Sequence, residues 1–508
     1  MNAPRCATAT VPPARRTCIL GLARRRNPGS TLKVMPDFHI EHFGCRAARA
    51  DGEAIAASLR ALRESQPFAE EVVVVNTCSV TAEADRAARA YIRRTHRRNP
   101  SAKIVVTGCY AQRAPRELAA MSGVAAVVGN SHKALAPQIV RALAQPDVPS
   151  PCPPPALLPV ASLLASAARQ PASGVVPAPI WTDDRFAHSF LEDQPWTHLP
   201  LAPGEQTRPN LKIQEGCGNR CTFCVIPLTR GPSQSLSFDA VMRGIHSFVA
   251  AGGQELVLSG INLGRWGADF DPSARQSLAG LVRGILERTA LPRLRLSSIE
   301  PMDWSAELIS LLRAFGGLRL ARHAHLPLQS GSDAVLRRMH RRYRPWHYAE
   351  KVHQLLRALG PDLTLGADVM VGFPGETDEE FQQTLAFVRE IPFGYLHLFP
   401  FSPRPGTPGW ALHQAAPVKP AVVGERISAL RALAAEKSAA HRRQFLGRTL
   451  QAITLHTPPA LGQDGFTASL TENFLPVALR GRFAANQLLP VRITGLDDGH
   501  QLSAVPCA

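Results

Sequence analysis

Residues 215–227 read EGCGNRCTFCVIP, in which Cys217, Cys221 and Cys224 follow a C-x3-C-x2-C spacing inside a loop entered from an extended segment. Three thiolates so spaced can hold three irons of a four-iron cluster and leave the fourth open to another ligand. Zinc is the rival, but its sites usually come as C-x2-C pairs with a second pair elsewhere. Ligand count and spacing favour iron and sulfur. Beyond the loop the chain alternates amphipathic helix with short apolar strands, expected at 255–259, 294–298, 325–328, 365–371 and 395–399. That alternation predicts a partial (β/α) barrel of parallel strands, with its site at their carboxyl ends.

Candidate ligand residues fall along these strands. Gly252 and Gly253 precede one strand and Glu255 opens it. Paired glycines commonly make a tight turn, but they also let backbone approach a ligand, and the carboxylate can accept from an ammonium group. Ser298 and Glu300, in LSSIEP, sit at a strand end where they can bind ribose hydroxyls. In HAHLPLQSGSD, His323 and His325 share a strand face and Gln329 follows in the loop. A metal there would need further ligands, so histidines satisfied by their neighbours are expected. Asp368 lies within an apolar strand, where a carboxylate is costly unless paired, and is a site candidate. The run LRRMHRRYR at 336–344 reads as a solvated helix face, with RNA phosphate contact as the rival.

Upstream, FHIEHF, VVVVN, KIVVT and VAAVVGN read as strands separated by helices, the longest at 51–64 and 81–98. A βαβαβα series predicts a doubly wound parallel sheet. Cys45, Cys78 and Cys109 each follow a strand end, where ligands of open α/β sheets collect. Buried structural cysteines are common singly, but the same loop position three times in succession favours a second cluster.

The chain of 508 residues suits about three domains. Lys and Arg exceed Asp and Glu by 17, which points to a polyanionic partner, nucleic acid before membrane. No apolar run of membrane-spanning length appears. Ten cysteines are too few for a disulfide scaffold and suit a reducing cytoplasm; Cys6, Cys18, Cys152 and Cys507 read as incidental. Residues 1–36 hold no acidic residue and are rich in Arg, like a transit peptide, but an upstream start with Met35 opening the protein is the simpler reading. The stretch 144–206 is Pro- and Ala-rich and reads as a linker. After a helix at 423–445, strands at 450–455, 466–470, 475–479 and 489–494 predict a small β-barrel.

FGC, VNTCSVTAEAD, TGCYAQ, KIQEGCGNRCTFCVIP, LSGINLGRWG, HAHLPLQSGSD, VGFPGETDEEF and SPRPGT, in that order, resemble the radical S-adenosylmethionine methylthiotransferases. The resemblance implies an N-terminal domain (37–143) holding one [4Fe-4S] cluster on Cys45, Cys78 and Cys109. It implies a radical domain (207–440) holding another on Cys217, Cys221 and Cys224, and a C-terminal RNA-binding barrel (441–508) of the TRAM type, to which TENFLPV belongs. The implied substrate is tRNA, and LKIQEGC, LSGIN and RLRLSSIEP look most like the branch acting on N6-threonylcarbamoyladenosine beside the anticodon. The branches acting on isopentenyladenosine and on a ribosomal-protein aspartate are the alternatives. The family's chemistry cleaves S-adenosylmethionine to a radical that takes hydrogen from C2 of the adenine, with sulfur supplied from the N-terminal cluster. It requires an electron donor such as flavodoxin or ferredoxin, and a sulfur source. Ala48, Leu228 and Gln234 depart from the family pattern, which usually has Asn, an aromatic and Arg there. A tRNA-binding iron–sulfur redox sensor without catalysis and a radical enzyme that only methylates are the rivals from other classes.

Overall fold

The structure, a computed structural model, describes residues 38–65, 68, 70–145, 177–184, 186, 191, 207–497, 499 and 501–507. The basic extension at 1–36 and most of the 144–206 linker lie outside the described residues.

β-Branched runs build the first sheet. β1 (Phe38–His42), β2 (Val72–Thr77), β3 (Lys103–Gly108) and β4 (Val124–Gly129) lie side by side in chain order, all parallel. Every residue of β2 is buried, as its valine run requires of a strand covered on both faces. α1 (Arg46–Ser65) and α5 (Ala136–Ala144) pack on the face carrying Val72 and Val74. α2 (Ala82–Arg98), α3 (Cys109–Arg113) and α4 (Pro115–Ala119) cover the face carrying Val73 and Val75. Helices thus lie on both faces, as in a doubly wound sheet.

The steps β1 to β2 and β2 to β3 run in one direction while α1 and α2 take opposite faces, so these crossovers have opposite hands. One departs from the right-handed norm. In consequence the chain leaves β1 toward one face and β2 toward the other. The 144–206 stretch is more than a spacer, because Ile180–Trp181 forms β5 alongside β4 with Trp181 buried. Its Pro-rich surroundings concealed a short edge strand held by one indole.

The second layer is a curved sheet. β6 (Asn210–Glu215), β8 (Glu255–Gly260) and β9 (Arg293–Leu296) are parallel, with β7 (Gln234–Ser235) antiparallel to β6. β10 (His323–His325), β11 (Thr364–Val371) and β12 (Tyr395–Pro400) continue it, joined to β9 by the Leu294–Leu320 bridge and by Ile299 N donating to His325 O at 3.0 Å. Helices such as Phe238–Ala250, Leu278–Arg288 and Ala306–Phe315 bury their apolar faces in the core on its outer side. The result is a partial (β/α) barrel.

β13 (Thr449–Thr454), β14 (Phe466–Thr471), β15 (Pro476–Arg480), β16 (Leu488–Leu496) and β17 (Leu502–Pro506) close a small barrel in the order 13-14-15-17-16. β17, not foreseen from the sequence, completes the closure. The 471–474 turn, part of TENFLPV, docks at the amino-end mouth of the (β/α) barrel. Phe474 stacks on His323 with ring centroids 4.3 Å apart, and the Arg295 guanidinium lies 5.3 Å over its ring. Arg295 Nη2 donates to Thr471 O at 3.1 Å and Arg322 Nη2 to Glu472 at 2.5 Å. Phe474 accepts a φ of 68° to reach this position, a backbone cost that docking offsets.

Phe474→Ala is expected to lower unfolding stability by about 2–3 kcal/mol, less than for a fully buried phenylalanine because the ring is half-buried. Urea denaturation of the full chain measures it.

Candidate functional site

Two groups of three cysteines define the site. Cys45, Cys78 and Cys109 follow β1, β2 and β3 at the carboxyl end of the first sheet, and all three thiols are free of disulfides. Gly44, at φ 108°, lets the β1 loop lie against Cys78: a Cβ there would stand 2.1 Å from Cys78 Cβ and 2.5 Å from its Sγ. The hydrogen bond from Cys78 pulls the Cys45 thiol down to about 5 against the opposing effect of burial. Giving that bond, together with burial, drives Cys78 up. Cys109 is near enough to act on Cys78 electrostatically, and Asn130 Nδ2 lies 3.4 Å from Cys109 Sγ.

The second group sits past the carboxyl end of β6. Cys224 N donates to Cys221 O at 3.1 Å and Asn219 N to Cys217 Sγ at 3.4 Å, which curls the loop around its thiols. Asn262 Nδ2 lies 3.7 Å from Cys217 Sγ. Arg341 Nη1 lies 3.2 Å from Cys221 Sγ while its Nη2 bonds Glu300. Burial pushes the Cys224 thiol up to about 12, so a metal that takes its thiolate must displace a firmly held proton.

Three thiols in each group, with no fourth cysteine beside them among the described residues, fit a four-iron cluster with one iron open. Four buried polar atoms fit a polar ligand beside the second group. Ser259 Oγ, Ser297 Oγ, Asn262 Oδ1 and Gln329 Oε1 have no hydrogen-bond partner among the described residues, and all lie at or just beyond carboxyl ends of barrel strands. Gln329 also takes a φ of 64°, unusual away from glycine and typical of functional loops.

The structure therefore brings Ser298, Glu300 and Gln329 to the same end of the barrel as Cys217, Cys221 and Cys224. It corrects the reading of Gly252, Gly253 and Glu255 as cofactor contacts. They lie at the amino end of β8, about 16 Å along the strand from Gly260. Glu255 is fully buried and already engaged by Arg295 at 2.7 Å and by Arg208 and Arg293 at 3.2 Å. Gly253 is required by packing, since a Cβ would meet the Phe248 ring, and Gly252 O accepts from Asn486 of the small barrel at 2.9 Å. A glycine pair beside a carboxylate carries no label for strand end, and that is where the reading failed.

Asp368 is paired, with His325 Nε2 and His397 Nδ1 each 3.2 Å from its carboxylate. Burial pushes its carboxyl up, but these two bonds outweigh it and hold the group below the usual carboxylate range. Tyr395 Oη lies 2.8 Å from His323 Nε2 and 2.9 Å from His325 Nδ1. The histidines bond Tyr395 and Asp368, and the further ligands that a metal would need are also present, since ligand atoms of His325, Asp368 and His397 lie within 4.8 Å of one another.

The basic run at 336–344 is a solvated face only in part, with Arg337, His340 and Arg342 exposed. Arg341 and Tyr343 are buried, Arg338 pairs with Glu380, and Arg337 and Arg344 pair with Asp333. Asp85, closing VNTCSVTAEAD, accepts from Arg113, the residue after TGCYAQ, at 2.7 Å and from Arg404 of SPRPGT at 2.6 Å. Sequence reasoning missed Asn130, Gln214, Asn262 and Arg341. Asn262 and Gln214 had a signal, being polar residues at the carboxyl ends of apolar strands; Arg341 had none.

Comparison with known proteins accords with this layout. The family model described as uncharacterized protein family UPF0004 matches residues 37–129, and that of the radical SAM superfamily matches residues 211–388. Threonylcarbamoyladenosine tRNA methylthiotransferase MtaB of Bacillus subtilis is 33% identical over 87% of this chain and 90% of its own length. The protein of the same name from Treponema pallidum is 34% identical over 91% and 98%. The tRNA-2-methylthio-N(6)-dimethylallyladenosine synthase of Erythrobacter litoralis is 32% identical over 84% and 88%.

Burial raises the Glu255 carboxyl, but Arg295, Arg208 and Arg293 outweigh it and bring it from its ordinary 4.5 to about 2. A depressed carboxyl stabilises the fold above its unfolded value and loses that contribution as pH falls. Glu255 is therefore expected to contribute about 3 kcal/mol above pH 4.5, lost between pH 4.5 and 2. Urea denaturation as a function of pH should show that segment of acid lability vanish in Glu255→Gln. At neutral pH, equilibrium dialysis should find S-adenosylmethionine affinity within about twofold of the parent.

Proposed function

This chain belongs to the radical S-adenosylmethionine methylthiotransferase family, and on that premise we propose that it converts N6-threonylcarbamoyladenosine beside the tRNA anticodon to its 2-methylthio derivative. Threonylcarbamoyladenosine methylthiotransferases at 33% and 34% identity support that substrate. The observation that carries a two-cluster mechanism is the pair of three-cysteine groups, each past the carboxyl ends of its own parallel sheet. We assign the first cluster to 37–143, the radical chemistry to 207–440 and an RNA-binding role to the barrel at 441–508.

When bound, two [4Fe-4S] clusters and S-adenosylmethionine supply the radical and the sulfur that attacking an unactivated aromatic C–H bond demands. The chain's own residues supply position. Cys217, Cys221 and Cys224 would hold the radical cluster, whose open iron would bind and activate S-adenosylmethionine. Ser259, Ser297, Asn262 and Gln329 present unpaired polar atoms to that cofactor, with Ser298 and Glu300 beside them. Arg341 fixes both Cys221 and Glu300, so loop and pocket move as one. Cys45, Cys78 and Cys109 would hold the sulfur-bearing cluster.

tRNA is the substrate, and an excess of basic residues serves its phosphates. The reaction draws electrons from a flavodoxin- or ferredoxin-like donor and needs a sulfur source. No helix among the described residues is long and apolar enough to cross a membrane, and we place the enzyme in the cytoplasm with its tRNA.

Cys221→Ala is expected to abolish S-adenosylmethionine cleavage. Cys78→Ala should retain cleavage and lose methylthiolation; full sulfur insertion by that variant would defeat the two-cluster reading. Iron analysis after anaerobic reconstitution should find about eight irons per chain, against four for a single cluster. Nucleoside mass spectrometry of tRNA from a deletion strain should lack 2-methylthio-N6-threonylcarbamoyladenosine, whereas loss of the isopentenyl form instead would move the chain to the other branch.

A further inference from the structure

Asp51, in the second turn of α1 after Cys45, is fully buried and meets three cations. Lys133 Nζ donates to it at 2.7 Å, Arg230 Nη2 at 2.9 Å, and Lys212 Nζ bonds its other oxygen. Glu215 accepts from Lys212 at 2.9 Å and also bonds Arg230. Three basic side chains thus face two carboxylates in a site nearly closed to water, an excess of one positive charge.

Arg230 stands between the cysteine groups. The five-residue helix Ile226–Arg230 starts two residues after Cys224 and ends on it. Thr229 O accepts from Asn130 Nδ2 at 2.7 Å, and the same amide nitrogen lies 3.4 Å from Cys109 Sγ. Cys109 and Cys45 both lie within electrostatic reach of the guanidinium.

A buried ion network is costly, and apolar packing joins layers as well or better. A surplus cation beside thiolates does something that packing cannot. A four-iron cluster on three thiolates is anionic, and reduction adds one more negative charge, so nearby charge sets its potential. We propose that Arg230, oriented by Asp51 and Glu215, is a positioning residue whose charge raises the reduction potential of the cluster on Cys45, Cys78 and Cys109. This rests on the two-cluster reading above.

The test uses the full chain carrying Cys217→Ala, Cys221→Ala and Cys224→Ala, reconstituted anaerobically. About four irons per chain uphold the two-cluster reading before any potential is measured, and no iron removes the ground of the proposal. Dithionite then donates one electron per cluster, and electron paramagnetic resonance follows the reduced form. In this background Arg230→Met should cut the reduced-to-oxidised ratio at fixed potential about tenfold, a shift of about 59 mV downward for a one-electron couple. Arg230→Lys should restore most of it. Asp51→Asn and Glu215→Gln, which remove buried negative charge, should shift the potential upward. A merely structural lock has no reason to give opposite signs. An unchanged potential in Arg230→Met at full iron loading overturns the proposal, as does a downward shift in the carboxylate variants. Should Arg230→Met fail to hold iron, the carboxylate variants decide alone: an upward shift supports the proposal, and none or a fall overturns it.

Discussion

A carboxylate sealed from water cannot stay ionised without cations against it, and Asp51 imposes that demand on the seam between the two α/β layers. Lys133 meets it from the first sheet's side, and Lys212 and Arg230 from the barrel's side. Burial favours the neutral acid, yet the three cations hold Asp51 well below the usual range. Removing one partner of such a set leaves a buried charge uncompensated, which typically costs about 3–5 kcal/mol. Asp85 repeats the device farther along the seam, with Arg113 from the first layer and Arg404 from the loop after β12. Two such anchors allow little sliding. The separation of the two cysteine groups is therefore held by ion pairs that cross from one layer to the other.

Much of this was legible wherever local rules decide. The run at Val72–Thr77 can only be a two-sided buried strand, and Thr81 caps α2 as its position before an acidic first turn suggests. The cysteines announced themselves by spacing in one case and by repeated loop position in the other. Illegible were features that depend on partners distant in the chain. Glu255 looked like a ligand because its three arginines are scattered from 208 to 295, and only the folded sheet shows that they already hold it. The run at 336–344 looked solvated because its acidic partners, Glu300 and Glu380, lie on other elements. Trp181 was hidden by composition, since a two-residue strand leaves no periodicity to read.

The barrel's two ends divide their labour by charge. At the amino end the charges are ion-paired, Glu255 with its arginines and Arg322 with Asp362 and Glu472, although Arg295 Nη1 and Glu472 Oε2 lack hydrogen-bond partners among the described residues. At the carboxyl end, Ser259, Ser297, Asn262 and Gln329 keep unpaired atoms that cost stability and are poised for a ligand.

The docked 471–474 turn bears on how the chain is made. β6 to β12 leave the ribosome well before Phe474, and at about 5–20 residues per second the barrel waits several seconds for its floor. During that interval His323, Tyr395 and Arg295 lack the partner that Phe474 gives them in the finished molecule. Assembly of the cofactor sites can thus be timed by translation, with the small barrel arriving last to shut the opposite end.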